Sequence, residues 1–169
     1  TSRRQRQMCI RDSRYTFAEL CKEAEETDYI TSRIDVNNKC FLAPENMTEA
    51  IKSYCNNNDL IIPDTAGEIA AVVYKSLADS YADTVMQIEK NLDITYDAIY
   101  VIGGGANAGY LNQLTADSTG KTVVAGPAEA TAIGNIMAQM IADSVFKNLK
   151  EARACVRDSF DIKRFEQKR

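Results

Sequence analysis

The sequence predicts an α/β protein, a parallel or mixed sheet covered by helices, and three observations carry that expectation. An apolar run, Asp97-Ala98-Ile99-Tyr100-Val101-Ile102, breaks directly into the three glycines at 103–105. Two short apolar stretches, 98–102 and 122–125, alternate with two amphipathic ones. The connections between them are short, as in a sheet whose helices fold back onto its faces.

Taken in order, the chain first shows two helix starts. Thr16-Phe17-Ala18-Glu19 and Thr65-Ala66-Gly67-Glu68 fit the capping box, in which threonine and glutamate side chains satisfy opposing orphan N–H groups. The second box opens a helix of about 27 residues by its 3.6-residue period, with Ile69, Val73, Leu77, Val85, Ile88 and Leu92 inward. Asn56-Asn57-Asn58-Asp59 and Ile62-Pro63-Asp64 read as connecting loops. Residues 98–102 form a short strand buried on both faces, and the glycines after it let the backbone turn tightly while leaving N–H groups open to a ligand. Tyr110, Leu111, Leu114, Thr115 and Ser118 lie on one helical stripe, ended by Gly120 as a residue tolerant of positive φ. Residues 122–125 are a second strand, and Gly126-Pro127 turns the chain into a helix over 129–144 with Ile133, Ile136, Met137, Met140 and Ile141 on its apolar face.

A nucleotide is the natural guest of the glycine turn, but spacing alone leaves a second reading open, that the glycines only let a helix pack closely on a strand. The fingerprint G-x-G-x-x-G is not met, because Gly109 comes one residue late, and the G-x-x-x-x-G-K-[ST] phosphate loop is absent.

Composition narrows the chemistry. The 169 residues can bury one core, and a net charge of −4 argues against a nucleic-acid or membrane surface. Cys9, Cys21, Cys40, Cys55 and Cys155 are odd in number and widely spaced, which predicts buried reduced thiols in a cytoplasmic protein rather than a metal site or disulfide framework. There is no histidine, so Ser-His-Asp and Cys-His nucleophilic catalysis, H-E-x-x-H zinc chemistry and histidine acid-base catalysis are excluded for this chain alone. A proton acceptor at the carboxyl ends of the strands is also missing. The loop after Ile102 has no carboxylate, Glu129 suits the positive end of the following helix, and Asp97 lies at the wrong end of its strand. No catalytic residue is assigned.

The run Val101-Ile102-Gly103-Gly104-Gly105-Ala106-Asn107-Ala108-Gly109-Tyr110-Leu111-Asn112-Gln113-Leu114-Thr115-Ala116-Asp117, followed by Ala125-Gly126-Pro127-Ala128-Glu129-Ala130-Thr131-Ala132-Ile133-Gly134-Asn135, closely resembles the C-terminal lobe of the FGGY-type carbohydrate kinases. The second run is more similar to the rhamnulokinase branch than to the glycerol, xylulose and fuculose kinases. Upstream, Ile34-Asp35, Phe41-Leu42-Ala43-Pro44, Tyr54-Cys55, Ile62-Pro63 and Ser76-Leu77-Ala78 with Tyr81 fit the same pattern in order, so the resemblance runs from about Tyr15 to the C-terminus.

This resemblance implies an actin-like, ribonuclease H-like ATPase lobe, a mixed sheet with covering helices, working with ATP and Mg²⁺ on a ketose sugar. It implies that the backbone of Gly103, Gly104 and Gly105 lies against the adenosine half of ATP, with Gly104 the safest assignment. Asn107 is a candidate partner for the base or ribose, although relatives often carry Gln here and Asn at the next position, which is Ala108 in this chain. Gly126 and Gly134 are expected as packing glycines. The aspartate that deprotonates the sugar, and the first lobe with most sugar contacts, precede anything matched, so residues 15–169 are expected to be an incomplete C-terminal ATP-binding lobe, inactive alone. The arginine-rich residues 1–14 match nothing in the family, resemble a translated adapter tract, and are expected to be a disordered tail.

The leading expectation is therefore the ATP-side portion of a kinase that phosphorylates the 1-hydroxyl of L-rhamnulose. The alternatives are a fuculose or xylulose kinase of the same family, a free-standing nucleotide-binding or regulatory module with a genuine start codon near Tyr15, and a half-domain that acts by pairing with a partner chain through an exposed sheet edge. A lobe cut in this way is expected to leave the faces near Phe17, Phe41 and Tyr54 partly uncovered, at roughly 1.5–3 kcal/mol for each large side chain.

Overall fold

The computed structural model describes residues 15–27 and 29–168. The expectations for residues 1–14, Cys9 among them, and for the Phe17 side chain lie outside the described residues. The backbone gathers into two compact units, Thr1–Ser76 and Leu77–Arg169.

In the first unit, α1 (Phe17–Glu26) starts at the expected capping box. The Thr16 hydroxyl accepts the Glu19 N–H at 3.3 Å, and the Glu19 carboxylate accepts the Thr16 N–H at 2.7 Å. A 3₁₀ turn (Lys39–Phe41) precedes α2 (Met47–Asn57), whose second and third N–H groups, of Thr48 and Glu49, are taken by the Asn46 side-chain oxygen. The second capping box opens α3 (Ala66–Leu92), 27 residues long as expected; Glu68 accepts the Thr65 N–H and Thr65 accepts the Glu68 N–H.

The core of this unit is Ile30, Ile34, Ile51, Cys55 and Val72, with Phe41, Tyr54 and Leu60 packed at its edge. Phe41 and Tyr54 meet ring to ring at 5.3 Å and are half-buried. Residues 30–34 belong to no helix and no sheet, so their buried polar groups need side-chain partners. Helix α3 supplies them: the Ile34 N–H donates to the Ser76 hydroxyl at 2.9 Å, and the buried Lys75 ammonium donates to the Ile30 carbonyl at 3.0 Å.

This changes which face of α3 is inward. Ala70, Ala71, Val72, Lys75, Ser76 and Ala78 are buried, whereas Ile69, Val73, Leu77 and Val85 are half-buried, and Ile88 and Leu92 are exposed. Small residues allow close approach: a Cβ on Gly67 would sit 2.8 Å from Glu23 Cβ of α1. A period drawn through the large apolar residues therefore misses the face that packs.

In the second unit, β1 (Ala98–Val101), α4 (Gly109–Thr119), β2 (Thr122–Ala125), α5 (Ala130–Ala142), α6 (Leu149–Ser159) and β3 (Lys163–Phe165) follow in order. The sheet order is β1-β2-β3, with β1 and β2 parallel and β3 antiparallel to β2, so the sheet is mixed. Gly120 ends α4 at φ +67°, as its permissive backbone predicts. Strand β2 is buried, but β1 is not buried on both faces. Tyr100 is 73% and Ile102 61% exposed, so the face they share is uncovered, and Ile102 falls outside the strand. Ile136 and Ser118 are also exposed on their helices.

The end of α3 is tied to β2 by one charged group. The Lys121 ammonium meets the Glu89 carboxylate at 2.7 Å and donates to the Tyr96 carbonyl at 2.8 Å, while the Tyr96 N–H donates to Glu89. The Lys121 contact first, and the Tyr96 N–H second, hold the Glu89 carboxyl below its ordinary 4.5. A carboxyl lowered in the folded state adds stability above its unfolded value, lost as the pH falls through the folded one. Glu89→Gln is accordingly expected to lower the thermal midpoint at pH 7 and to lose that deficit below pH 4.5; a deficit unchanged by pH would show that the tie is not ionic.

Cys21, Cys40, Cys55 and Cys155 are free, and only Cys55 among them is fully buried. Burial raises the Cys55 thiol, while Cys40 and Cys155 are exposed, contrary to the expectation for buried thiols. Among the described residues, no helix is long and apolar enough to cross a membrane.

Candidate functional site

The glycines stand where the parallel pair ends. After extended Ile102, the chain takes φ +74° at Gly103 and coils into a 3₁₀ turn (Gly103–Asn107) before α4. Two backbone bonds lock this turn to the end of β2: the Gly126 N–H donates to the Val101 carbonyl at 2.9 Å, and the Gly103 N–H to the Pro127 carbonyl at 3.3 Å. Carboxyl ends of parallel strands are where ligands gather in open α/β sheets.

The three glycines differ in what they face. A Cβ on Gly103 would near the Ala128 carbonyl at 3.8 Å, and one on Gly105 would press Val101 Cγ1 at 3.3 Å. At Gly104 a Cβ would meet nothing within 4 Å, and its φ is not in the left-handed range. Neither the backbone conformation nor packing within the chain demands glycine at 104.

Beside the turn is a recess of 180 Å³ lined by Ala106, Asn107, the start of the Gly126–Pro127–Ala128 loop, Phe160, Asp161 and Lys163. Asn107 is exposed at this recess, while Ala108 is buried and offers only backbone. The recess wall from α6 and β3 was not foreseen from the sequence; the Asn148 cap, which accepts the Glu151 N–H at 3.1 Å, was the signal available for α6. Gly126 acts as a packing glycine, its Cβ position lying 3.0 Å from the Asp161 carbonyl. Gly134 does not: nothing lies within 4 Å of its Cβ position, and it borders a separate, largely apolar cavity of 810 Å³ between α5 and α6.

Neither of the carboxylates weighed from the sequence stands in the turn, while Asp161 lines the recess beside it. Asp97 is at the opposite end of β1, where its carbonyl accepts the Thr122 N–H, and Glu129 flanks α5 without a capping hydrogen bond. Among the described residues, no group of three His, Cys, Asp or Glu could hold a metal ion.

The family of carbohydrate kinases described as FGGY, in its C-terminal domain, matches residues 3–142. The chain belongs to that family. Its mixed α/β organisation is accordingly that of an actin-like ATPase lobe. Rhamnulokinase of Bacillus subtilis (strain 168) is 47% identical over 154 residues, covering 91% of this chain and 32% of that protein. Rhamnulokinase of Oceanobacillus iheyensis is 45% identical over 148 residues, 88% of this chain and 31% of that protein. Rhamnulokinase of Lactiplantibacillus plantarum is 37% identical over 160 residues, 93% and 33% respectively. The chain spans about a third of the length of these FGGY relatives.

Proposed function

We propose that this chain is the ATP-binding, C-terminal portion of a rhamnulokinase, the full-length protein transferring the γ-phosphoryl group of ATP to the 1-hydroxyl of L-rhamnulose. The backbone of Gly103, Gly104 and Gly105 faces the adenosine half of the nucleotide, and Asn107 stands at the base or ribose. The observation that carries this reading is the open space in front of Gly104. That space lies at the carboxyl end of the parallel pair, where a ligand can lie directly against the backbone.

Phosphoryl transfer is mostly positioning and charge neutralisation, and the share that falls to these residues is to hold the nucleotide. The sugar contacts and the base that takes the hydroxyl proton are assigned to the part of the longer protein outside this chain. Mg²⁺ keeps several waters and binds through substrate phosphates, so it is assigned to the nucleotide and given no protein ligand here.

Titration calorimetry with MgATP, on the chain and on Gly104→Val, tests the reading. The expected result is measurable binding that the variant abolishes while its far-ultraviolet circular dichroism is retained. Equal binding by the variant would remove the nucleotide from the glycine turn.

A further inference from the structure

Three consecutive glycines make a loop with a large conformational entropy to lose, and a site built on backbone is only as good as what holds that backbone still. No side chain caps the 3₁₀ turn at its start. From below, one buried amide reaches it. Asn112 is 2% exposed, and its Nδ2 donates to the Gly105 carbonyl at 3.2 Å and the Ala106 carbonyl at 3.3 Å. Its own N–H donates to the Ala108 carbonyl at 2.9 Å, so the residue that starts the hydrogen-bond ladder of α4 also grips the turn before it.

We infer that Asn112 is the positioning residue of the nucleotide site, its side-chain amide fixing the glycine turn in the shape that receives adenosine. The inference rests on the nucleotide reading above. A carbonyl and the N–H of the same planar peptide point in opposite directions. Holding the carbonyls of Gly105 and Ala106 toward Asn112 therefore sets the orientation of the two following peptide planes, across Ala106 and Asn107, which border the recess. A side chain at 112 that does not donate leaves the Gly105 carbonyl to the Ala108 N–H alone, at 3.1 Å, and removes the amide's hold on the Ala106 carbonyl.

Residue 112 has a useful control one turn away. Thr115 is equally buried, 3% exposed, on the same helix, but its hydroxyl donates to the Leu111 carbonyl and touches nothing in the turn. Substitution at 115 removes one side-chain hydrogen bond within the helix, and substitution at 112 removes the two that reach the turn.

The experiment compares the chain with Asn112→Asp, which keeps the shape and removes the donor, with Asn112→Leu, and with Thr115→Val. Two readouts are taken, MgATP affinity by calorimetry and amide hydrogen exchange at residues 103–107. Both Asn112 variants are expected to weaken MgATP about tenfold or more and to speed exchange in the turn by a similar factor, while Thr115→Val changes neither. Variants of Asn112 that bind MgATP as the parent does would overturn the inference. Should the parent itself not bind MgATP, the nucleotide reading fails and exchange decides the rest: protection of 103–107 unchanged in both Asn112 variants would also overturn the positioning role.

Discussion

Ile51→Ala is expected to be the most destabilising single truncation in the first unit, lowering stability by about 2–5 kcal/mol. Ile51 is 3% exposed on α2 and lies in the cluster with Ile30, Ile34, Cys55 and Val72. Removing its branched end deletes contacts with these neighbours and leaves a void that the surrounding segments only partly close. For a chain of this size, that loss corresponds to a drop in thermal midpoint of roughly 4–20 °C. Ile51→Val removes one methylene and is expected to cost about 0.5–1.5 kcal/mol, so the pair gives a graded series. A midpoint within a degree of the parent for Ile51→Ala would mean that this cluster does not support the fold. Cysteine at 55 bears on the same cluster: its buried thiol is raised by burial and stays uncharged near neutrality, so it packs as a small apolar group.

Gly126→Ala is expected to have the second large effect, and to act on shape as well as stability. Gly126 adopts φ +123°, a region essentially reserved for glycine, and a Cβ there would lie 3.0 Å from the Asp161 carbonyl and 3.6 Å from Ile162 Cα. The backbone strain alone costs about 1–3 kcal/mol, and the opposing atoms are main chain, so relief requires the α6–β3 connection to move. That connection is one wall of the recess beside the glycine turn. Gly126→Ala should thus lower the midpoint by roughly 2–12 °C and weaken nucleotide binding together. Gly104→Ala makes the opposite comparison. Its Cβ meets open space at an ordinary φ, so the midpoint should hold or rise slightly, leaving affinity as the quantity that changes. A parent-like midpoint for Gly126→Ala would show that the 160–163 wall is not seated on this glycine.

Much of the local order was legible in advance because it is written in short-range chemistry. Both capping boxes are satisfied as a threonine followed three residues later by glutamate requires. Gly120 closes α4 in the left-handed region, and the alternation of 98–102, 109–119, 122–125 and 130–142 yields the parallel β1–β2 pair. What was not legible depended on partners distant in the chain. Lys163–Phe165 is too short and too charged to read as a strand, and it becomes one only because the Val123–Ala125 edge is there to pair with it. Asn112 looked like one more polar helix residue; the bend of the turn over it supplies the two carbonyls that give it a role. Lys75 would be placed on a solvated face by composition, yet it is buried against the Ile30 carbonyl because residues 30–34 cross α3 without a strand to satisfy them.

The sequence by itself determined the class of the fold, the starts and stops of the main helices, the family, and the turn at 103–105, since each of these follows from neighbouring residues or from a motif that is contiguous. Only the tertiary structure decided which glycine faces outward, which face of α3 is buried, and which side chain holds the turn. Those properties depend on what stands across a gap of 3 or 4 Å, and that distance is set by packing between segments far apart in the chain.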